Sequence, residues 1–245
     1  MPERHEHRTL EELGLADAPR DRPLLYPGAW PAESGLLDGD RFLPLDRLTF
    51  PGRTPVLAVG SNASPAQLRY KMAEFGISSP VPMVRTRVTG IDVGVSAHVS
   101  RLGYVSASPV NAPDVTRELF LIWLDADQLA GVDGTEPHYD RVRLPAPQAR
   151  FELPNGETLP DVFAYVNRHG VLHNGAGAPR GHPGQRALIT ELLAGSPALR
   201  QLFGETPEEF VTRARADAGR CAQGTRLFAQ EKLVTASGLE HLRLG

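Results

Sequence analysis

The sequence predicts an α+β fold: a small, mixed, barrel-like sheet with flanking helices, continued by a helical carboxy-terminal extension. Three observations predict it. Residues 54 to about 171 are dominated by short apolar or alternating runs of strand length. One firm helix start, Ser64-Pro65, interrupts them early. After residue 181 the apolar spacing changes to that of helices packed on one side.

Residues 1–50 are rich in Pro, Gly and charge, with apolar islands at Leu24-Leu25-Tyr26 and Phe42-Leu43. They read as an arm that wraps a domain. The core domain is placed at 51–171. Val56 to Val59 is a continuous apolar run, hence a buried strand. It meets Gly60-Ser61-Asn62, and a helix follows with Ser64 as N-cap, Pro65 at the first helical position and Gln67 placed to reach back to the cap. Val81 to Val99 alternates through "VPMVRTRVTGIDVGVSAHV". Gly103 to Val110 is a short strand of small residues, and "RELFLIWLDADQL" is a buried strand leaving into a turn or helix at Asp125. "HYDRVRLPA" and "LPDVFAYVNRHG" close the set, with the Asn155-Gly156 pair of "LPNGETLP" suited to a hairpin loop. Residues 172–245 form a Gly-rich connection and a helical extension. Leu188, Ile189, Leu192 and Leu193 make one stripe; Ser196-Pro197 and Thr206-Pro207 start further helices, with Glu209 at the capping-box position.

At 245 residues the chain can bury a substantial core. Its 41% apolar and 22% charged residues and net charge of −3 are ordinary for a soluble protein, and give no electrostatic case for nucleic acid or an anionic membrane as partner. Cys221 is the single cysteine, so no intrachain disulfide can form. A reduced, cytoplasmic setting is the expectation. "MPERHEHRTLEELG" has no apolar stretch suited to a signal peptide, and no run approaches the ~20 residues of a membrane span. Among 26 basic residues only Lys71 and Lys232 are lysines, and the sequence assigns neither a role.

The Gly-Ser-Asn turn carries the first chemistry. Gly60 permits close approach, while Ser61 and Asn62 hold a tight turn through side-chain hydrogen bonds. Backbone N–H groups then lie near a strand end and the positive end of a helix, a cradle for a carboxylate, phosphate or developing oxyanion. The Ser-Pro start by itself is structural, since the chain uses the same device at residues 196 and 206.

"VLAVGSNASPAQL" resembles the amino-terminal signature of the γ-glutamylcyclotransferase-like superfamily, in which a first strand ends in Tyr-Gly-Ser-Asn before a helix. The order of later segments matches too: "GYVSASPV", "LFLIWLDADQL", then the acidic turn "DGTEPHYDRVRL". Glu136, Tyr139 and Arg141 stand where the family has a Glu shortly before a Tyr and an Arg. The resemblance covers about residues 54 to 170. Two features depart from it. Val59 replaces the usual Tyr, and Glu136 and Tyr139 are more tightly spaced, with Pro137 where Gly is common. The resemblance implies the family fold and no cofactor or metal. It also implies cyclisation of a γ-glutamyl group to 5-oxoproline with release of an amine. Glu136 is then the proton shuttle, and Val59, Gly60, Ser61, Asn62, Ala63 and Tyr139 bind a small γ-glutamyl or carboxylate ligand.

Such a shuttle needs burial against apolar neighbours, for which Pro137, Tyr139 and Trp123 are available. The competing reading of Glu136 is a turn carboxylate, solvated or paired with Arg141 or Arg143; Asp133 is the nearby alternative acid. His169, His173 and His182 invite a metal, but their spacing matches no helical site. The Gly-rich segment holding them reads as a cover for the pocket. Ser61 lacks the Gly-x-Ser-x-Gly elbow and assignable Asp and His partners of a serine nucleophile. A noncatalytic member that binds a small carboxylate or a protein partner is the alternative class.

Overall fold

The structure is a computed structural model that describes residues 8–244. Its centre is a mixed sheet of twelve strands. Three come from the first fifty residues: β1 (Arg8–Thr9), β2 (Gly35–Asp38) and β3 (Arg41–Leu43). The remainder are β4 (Thr54–Ala58), β5 (Val81–Val99), β6 (Val105–Leu124), β7 (Tyr139–Pro145), β8 (Arg150–Glu152), β9 (Thr158–Leu159), β10 (Asp161–Asn167), β11 (Val171–Leu172) and β12 (Val234–Thr235). The helices are α1 (Pro65–Glu74), α2 (Ala126–Gly134), α3 (Gln185–Gly195), α4 (Pro197–Phe203), α5 (Pro207–Ala216) and α6 (Ala218–Gln230). None is long and apolar enough to cross a membrane.

The α+β class and the helical extension are as the sequence predicts. The main path runs β1-β3-β2-β5-β6-β4-β10-β7 and stays open between β1 and β7. All its neighbours are antiparallel except β4 and β10. The segments 103–110 and 117–124, read as two strands, are one: β5 pairs with β6 on both sides of residues 113–115, which face no β5 residue. A register shift at Thr89/Gly90 bends this ribbon. Gly90 has φ +100°, and a Cβ there would lie 2.7 Å from the Gln148 carbonyl, so backbone approach as well as conformation demands glycine.

The bent ribbon lets one pair of strands serve three clusters. Val84, Val88, Leu121, Val142 and Phe151 pack on one face; Val56, Leu68, Met83 and Ile122 pack on the other, with Leu10 from the N-terminal segment. The far half of β5 and β6 (Val95, Val99, Val105) is buried by Leu188, Phe203, Phe210 and Phe228 of the carboxy-terminal helices. Each such side chain contributes about 1.5–3 kcal/mol relative to exposure, which anchors the extension to the sheet.

Helix starts follow their sequence signals with two exceptions: at α5 Glu209 accepts from the Glu205 N–H (2.9 Å) and does not reach back to Thr206, and α1 departs further. Asp125 and Gln128 form a reciprocal capping box at α2, and Ser196 and Thr206 accept from Leu199 and Glu209 N–H. Ser64 makes no side-chain cap bond. Its hydroxyl is buried without a partner, and Gln67 accepts from the Arg20 N–H (3.1 Å) instead of reaching back. Tertiary packing from the first fifty residues overrides the local motif there.

Candidate functional site

Sheet order explains why residues 62 and 136 meet. β4 and β7 flank β10, with Leu57 opposite Ala164 and Tyr139 opposite Asn167. The end of β4 and the start of β7 therefore lie at the same end of the sheet. Beyond β4 the chain passes Gly60 into a single 3-10 turn, Ser61–Ala63, and then α1. Before β7 it leaves α2 through Thr135 into a turn in which the Tyr139 N–H donates to the Glu136 carbonyl (3.0 Å). Asn62 and Glu136 project from these two turns toward each other.

Three side chains lock together between the turns. The Asn62 Nδ2 donates to Glu136 Oε1 (3.1 Å), and Lys71 Nζ donates to both Glu136 Oε1 (2.7 Å) and Asn62 Oδ1 (2.7 Å). The Lys71 and Glu136 side chains are only 6% and 16% exposed, so this charge-assisted cluster is largely withdrawn from water. Neither bond uses Glu136 Oε2. The cluster sits in the wall of a cavity of about 570 Å³ that is also lined by Val59, Gly60, Ser61, Tyr104 and Tyr139.

Several expectations need correction. Glu136 pairs with neither Arg141 nor Arg143, which bind Asp133 (3.0 Å) and Asp161 (2.5 Å). Asp133 is thereby occupied, and it also accepts from the Tyr165 hydroxyl (2.6 Å). Trp123 does not line the cavity; it packs against Phe50 with ring centroids 5.7 Å apart. Glu136 thus faces an ammonium and an amide, with Pro137 and Tyr139 as its apolar neighbours in the wall. Ala63 is fully buried, in the same cluster as Leu68, and does not line this cavity. Arg141 lines a neighbouring groove, not this cavity. No residue between 170 and 184 lines the cavity either; that segment is tied to β5 by the Gly94–Gly181 bridge and the Arg180 carbonyl. The wall it was expected to form comes from α5 and the start of α6, through Ala214, Arg215 and Ala218.

Two residues of the cavity wall had no sequence assignment. Lys71 is one; its signal was scarcity, a lone core lysine where this chain otherwise uses arginine, whose broad planar fork suits a two-point contact between Asn62 and one carboxylate oxygen poorly. Tyr26 is the other. Its buried ring reaches the cavity wall, its hydroxyl accepts from the Ala107 N–H (2.7 Å), and Tyr139 donates to the Ala107 carbonyl (2.9 Å). Burial pushes the Tyr26, Tyr104 and Tyr139 phenols up from their ordinary value, so all three are neutral hydrogen-bonding groups at pH 7.

Tyr26 also explains Gly60. A Cβ at residue 60 would lie 2.2 Å from the Tyr26 hydroxyl, although φ there is an ordinary −140°. Gly60→Ala is expected to lose about 1–3 kcal/mol in urea unfolding, as overpacking does. Tyr26→Phe in the same chain recovers part of that loss; no recovery would refute the assigned clash.

Beyond Glu136 lies a histidine cluster. The His98 and His138 ring centroids are 4.7 Å apart, and His169 stacks 6.0 Å from His98, with His138 Nδ1 3.2 Å from His169 Nε2. His173 and His182 are elsewhere, against the Lys232 and Val105 carbonyls. No group of three or more His, Cys, Asp or Glu side chains among the described residues is arranged to hold a metal. Burial, then the neighbouring His138 and His169, holds His98 well below the usual imidazole range; burial first also lowers His138, His169 and His182. Groups with depressed folded values are charged more readily when unfolded. Their contribution is complete above the unfolded value of about 6.5 and is lost as pH falls below it. The urea midpoint should therefore drop between pH 7.5 and 5, before carboxylates such as Asp92 and Asp161 titrate. His98→Gln should flatten that slope; an unchanged slope contradicts the assignment.

No protein-family model matches this sequence, and the search of curated proteins returned no match. Among solved structures, an Arabidopsis thaliana protein solved in solution is similar over 64% of this chain and 86% of its own, at 16% identity and a TM-score of 0.37. A gamma-glutamyl cyclotransferase is similar over 67% and 87%, at 12% identity and a TM-score of 0.38. YkqA from Bacillus subtilis is similar over 75% of this chain and 56% of its own, at 15% identity and a TM-score of 0.38.

Proposed function

We propose that this chain is a γ-glutamyl cyclotransferase-type enzyme, acting on a small γ-glutamyl-amine or amino-acid adduct. The observation that carries this reading is the meeting of Asn62 and Glu136, 74 residues apart, at 3.1 Å in the wall of a cavity. It joins the two sequence motifs that the resemblance pairs.

The reaction asks little covalent chemistry of the protein, because nucleophile and electrophile are already tethered in the substrate. The α-ammonium loses a proton to Glu136, and the freed amine attacks the γ-carbonyl carbon. As the tetrahedral oxyanion collapses, the bond to the original amine nitrogen breaks and that nitrogen takes the proton back from Glu136; the carboxylate, free again, relays the second proton of the ring nitrogen to the released amine, which leaves as an ammonium. The ring amide of 5-oxoproline replaces the γ-amide, with no net proton gained or lost. Glu136 Oε2, unused by Lys71 and Asn62, is the oxygen available for this exchange. The first N–H groups of the 61–63 turn have no partner inside that turn and lie next to the positive end of α1, which suits them to the oxyanion. Lys71 and Asn62 hold the carboxylate in register with that turn.

Incubation with a panel of γ-glutamyl amines and amino acids, followed by mass detection of 5-oxoproline and the released amine in equal amounts, tests the reading. Product from none of the panel would discard it in favour of a noncatalytic carboxylate-binding protein. The observation favouring that second reading is the double engagement of Glu136 Oε1, which would serve equally as a strut in a binding pocket.

A further inference from the structure

The cavity does not end at Arg101, His138 and Ala218. The same three residues line a second chamber of about 380 Å³, which therefore adjoins the first across a shared wall. Its chemistry differs from that of the inner cavity. Ala97, Val99 and Val234 give it an apolar floor, while Arg101, Arg226 and His169 supply polar edges, and no acidic residue lines it. Arg101 and Arg226 take part in no ion pair among the described residues, whereas Lys71 in the inner cavity is neutralised by Glu136. Arg215, on the inner cavity's wall, is likewise without an ion-pair partner among them. Two uncompensated guanidiniums over an apolar floor, with no carboxylate to repel an anion, are complementary to a ligand that is both apolar and acidic.

We propose that this outer chamber is a subsite for the amine portion of the adduct, and that this amine carries an apolar body and an anionic group. The proposal rests on the cyclotransfer reading only for the γ-glutamyl end of the ligand. With that end between the 60–62 turn and Glu136, the leaving amine points past His138 toward Arg101 and Arg226. The apolar body then lies over Ala97 and Val99, and the acid meets the guanidiniums. The carboxy-terminal helices, which supply Arg226 and most of one wall, become the element that sets substrate class.

The test is calorimetric titration of Glu136→Gln, checked for its fold by circular dichroism, with three compounds. γ-Glutamyl-phenylalanine has both features, γ-glutamyl-phenethylamine lacks the acid, and γ-glutamyl-glycine lacks the apolar body. The first should bind at least about 10-fold tighter than either of the others. Arg101→Gln with Arg226→Gln should bring it to within about 3-fold of the phenethylamine adduct. Ala222→Phe, which fills the chamber from α6, should weaken the two aromatic adducts and spare γ-glutamyl-glycine. Equal binding of the phenylalanine and phenethylamine adducts, or an undiminished preference in the double arginine variant, overturns the proposal. Release of 5-oxoproline by the unaltered protein is measured separately. Arginine-dependent binding without product sinks cyclotransfer and leaves the subsite standing; product without arginine dependence does the reverse.

Discussion

Glu136→Gln is expected to lower turnover of the preferred γ-glutamyl adduct by about 10³-fold while changing KM by no more than about 3-fold. Glutamine keeps the shape of the side chain, and its carbonyl oxygen can still accept from Lys71 and Asn62, as Glu136 Oε1 does now at 2.7 and 3.1 Å. What it loses is the second oxygen's capacity to take a proton. The α-ammonium then has no base within the cluster, and the leaving nitrogen no acid. Asp133 offers no ready substitute, because Arg141 and the Tyr165 hydroxyl occupy it. Steady-state kinetics by 5-oxoproline release decides the matter: turnover within about 3-fold of the unaltered protein would remove Glu136 from the mechanism.

Lys71→Met should be the most destabilising single change in the site, at about 3 kcal/mol in urea unfolding. Its side chain is 6% exposed, and removing it strips the Glu136 carboxylate of its only cationic partner among the described residues. The figure sits at the low end for breaking a buried pair, because Glu136 retains 16% exposure and so some access to water. The diagnostic measurement is a double-mutant cycle. Lys71→Met with Glu136→Gln should be more stable than Lys71→Met alone, since the unpaired charge is gone. Strict additivity of the two changes, or a loss below about 1 kcal/mol for Lys71→Met, would mean that the pair is energetically idle. Lys71→Arg should not restore full stability, because the guanidinium has to fit a space filled by one ammonium between Asn62 Oδ1 and Glu136 Oε1.

Strand alternation, the Ser/Thr-Pro helix starts at 196 and 206, and the capping residue Asp125 are local statements, and each could be read from neighbours in the chain. The same holds for the turn at Gly60-Ser61-Asn62 and for the acidic turn around Glu136. Reading failed where a distant segment changed the local answer. Gln67 was expected at its own N-cap, but the Arg20 backbone took it. The strands at 103–110 and 117–124 merged because β5 is long enough to template both. The Gly-rich segment was expected over the pocket, yet hydrogen bonds to β5 hold it away and α5 with α6 take its place.

The sequence by itself determined the strand-rich centre, the helical extension, and the two short motifs whose residues carry the proposed chemistry; the strands β1, β2 and β3 within the expected arm were not legible in it. Only the tertiary structure decided what those residues touch. It set Lys71 rather than an arginine against Glu136, brought Tyr26 across 81 residues to the Ala107 N–H and into the space that a side chain at residue 60 would need, and turned Arg101 and Arg226 toward one chamber. The physical reason is range. Periodicity and capping are settled within a few bonds of the backbone, whereas pairing a charge or seating a ring depends on which surfaces the sheet order and core burial bring within hydrogen-bond distance.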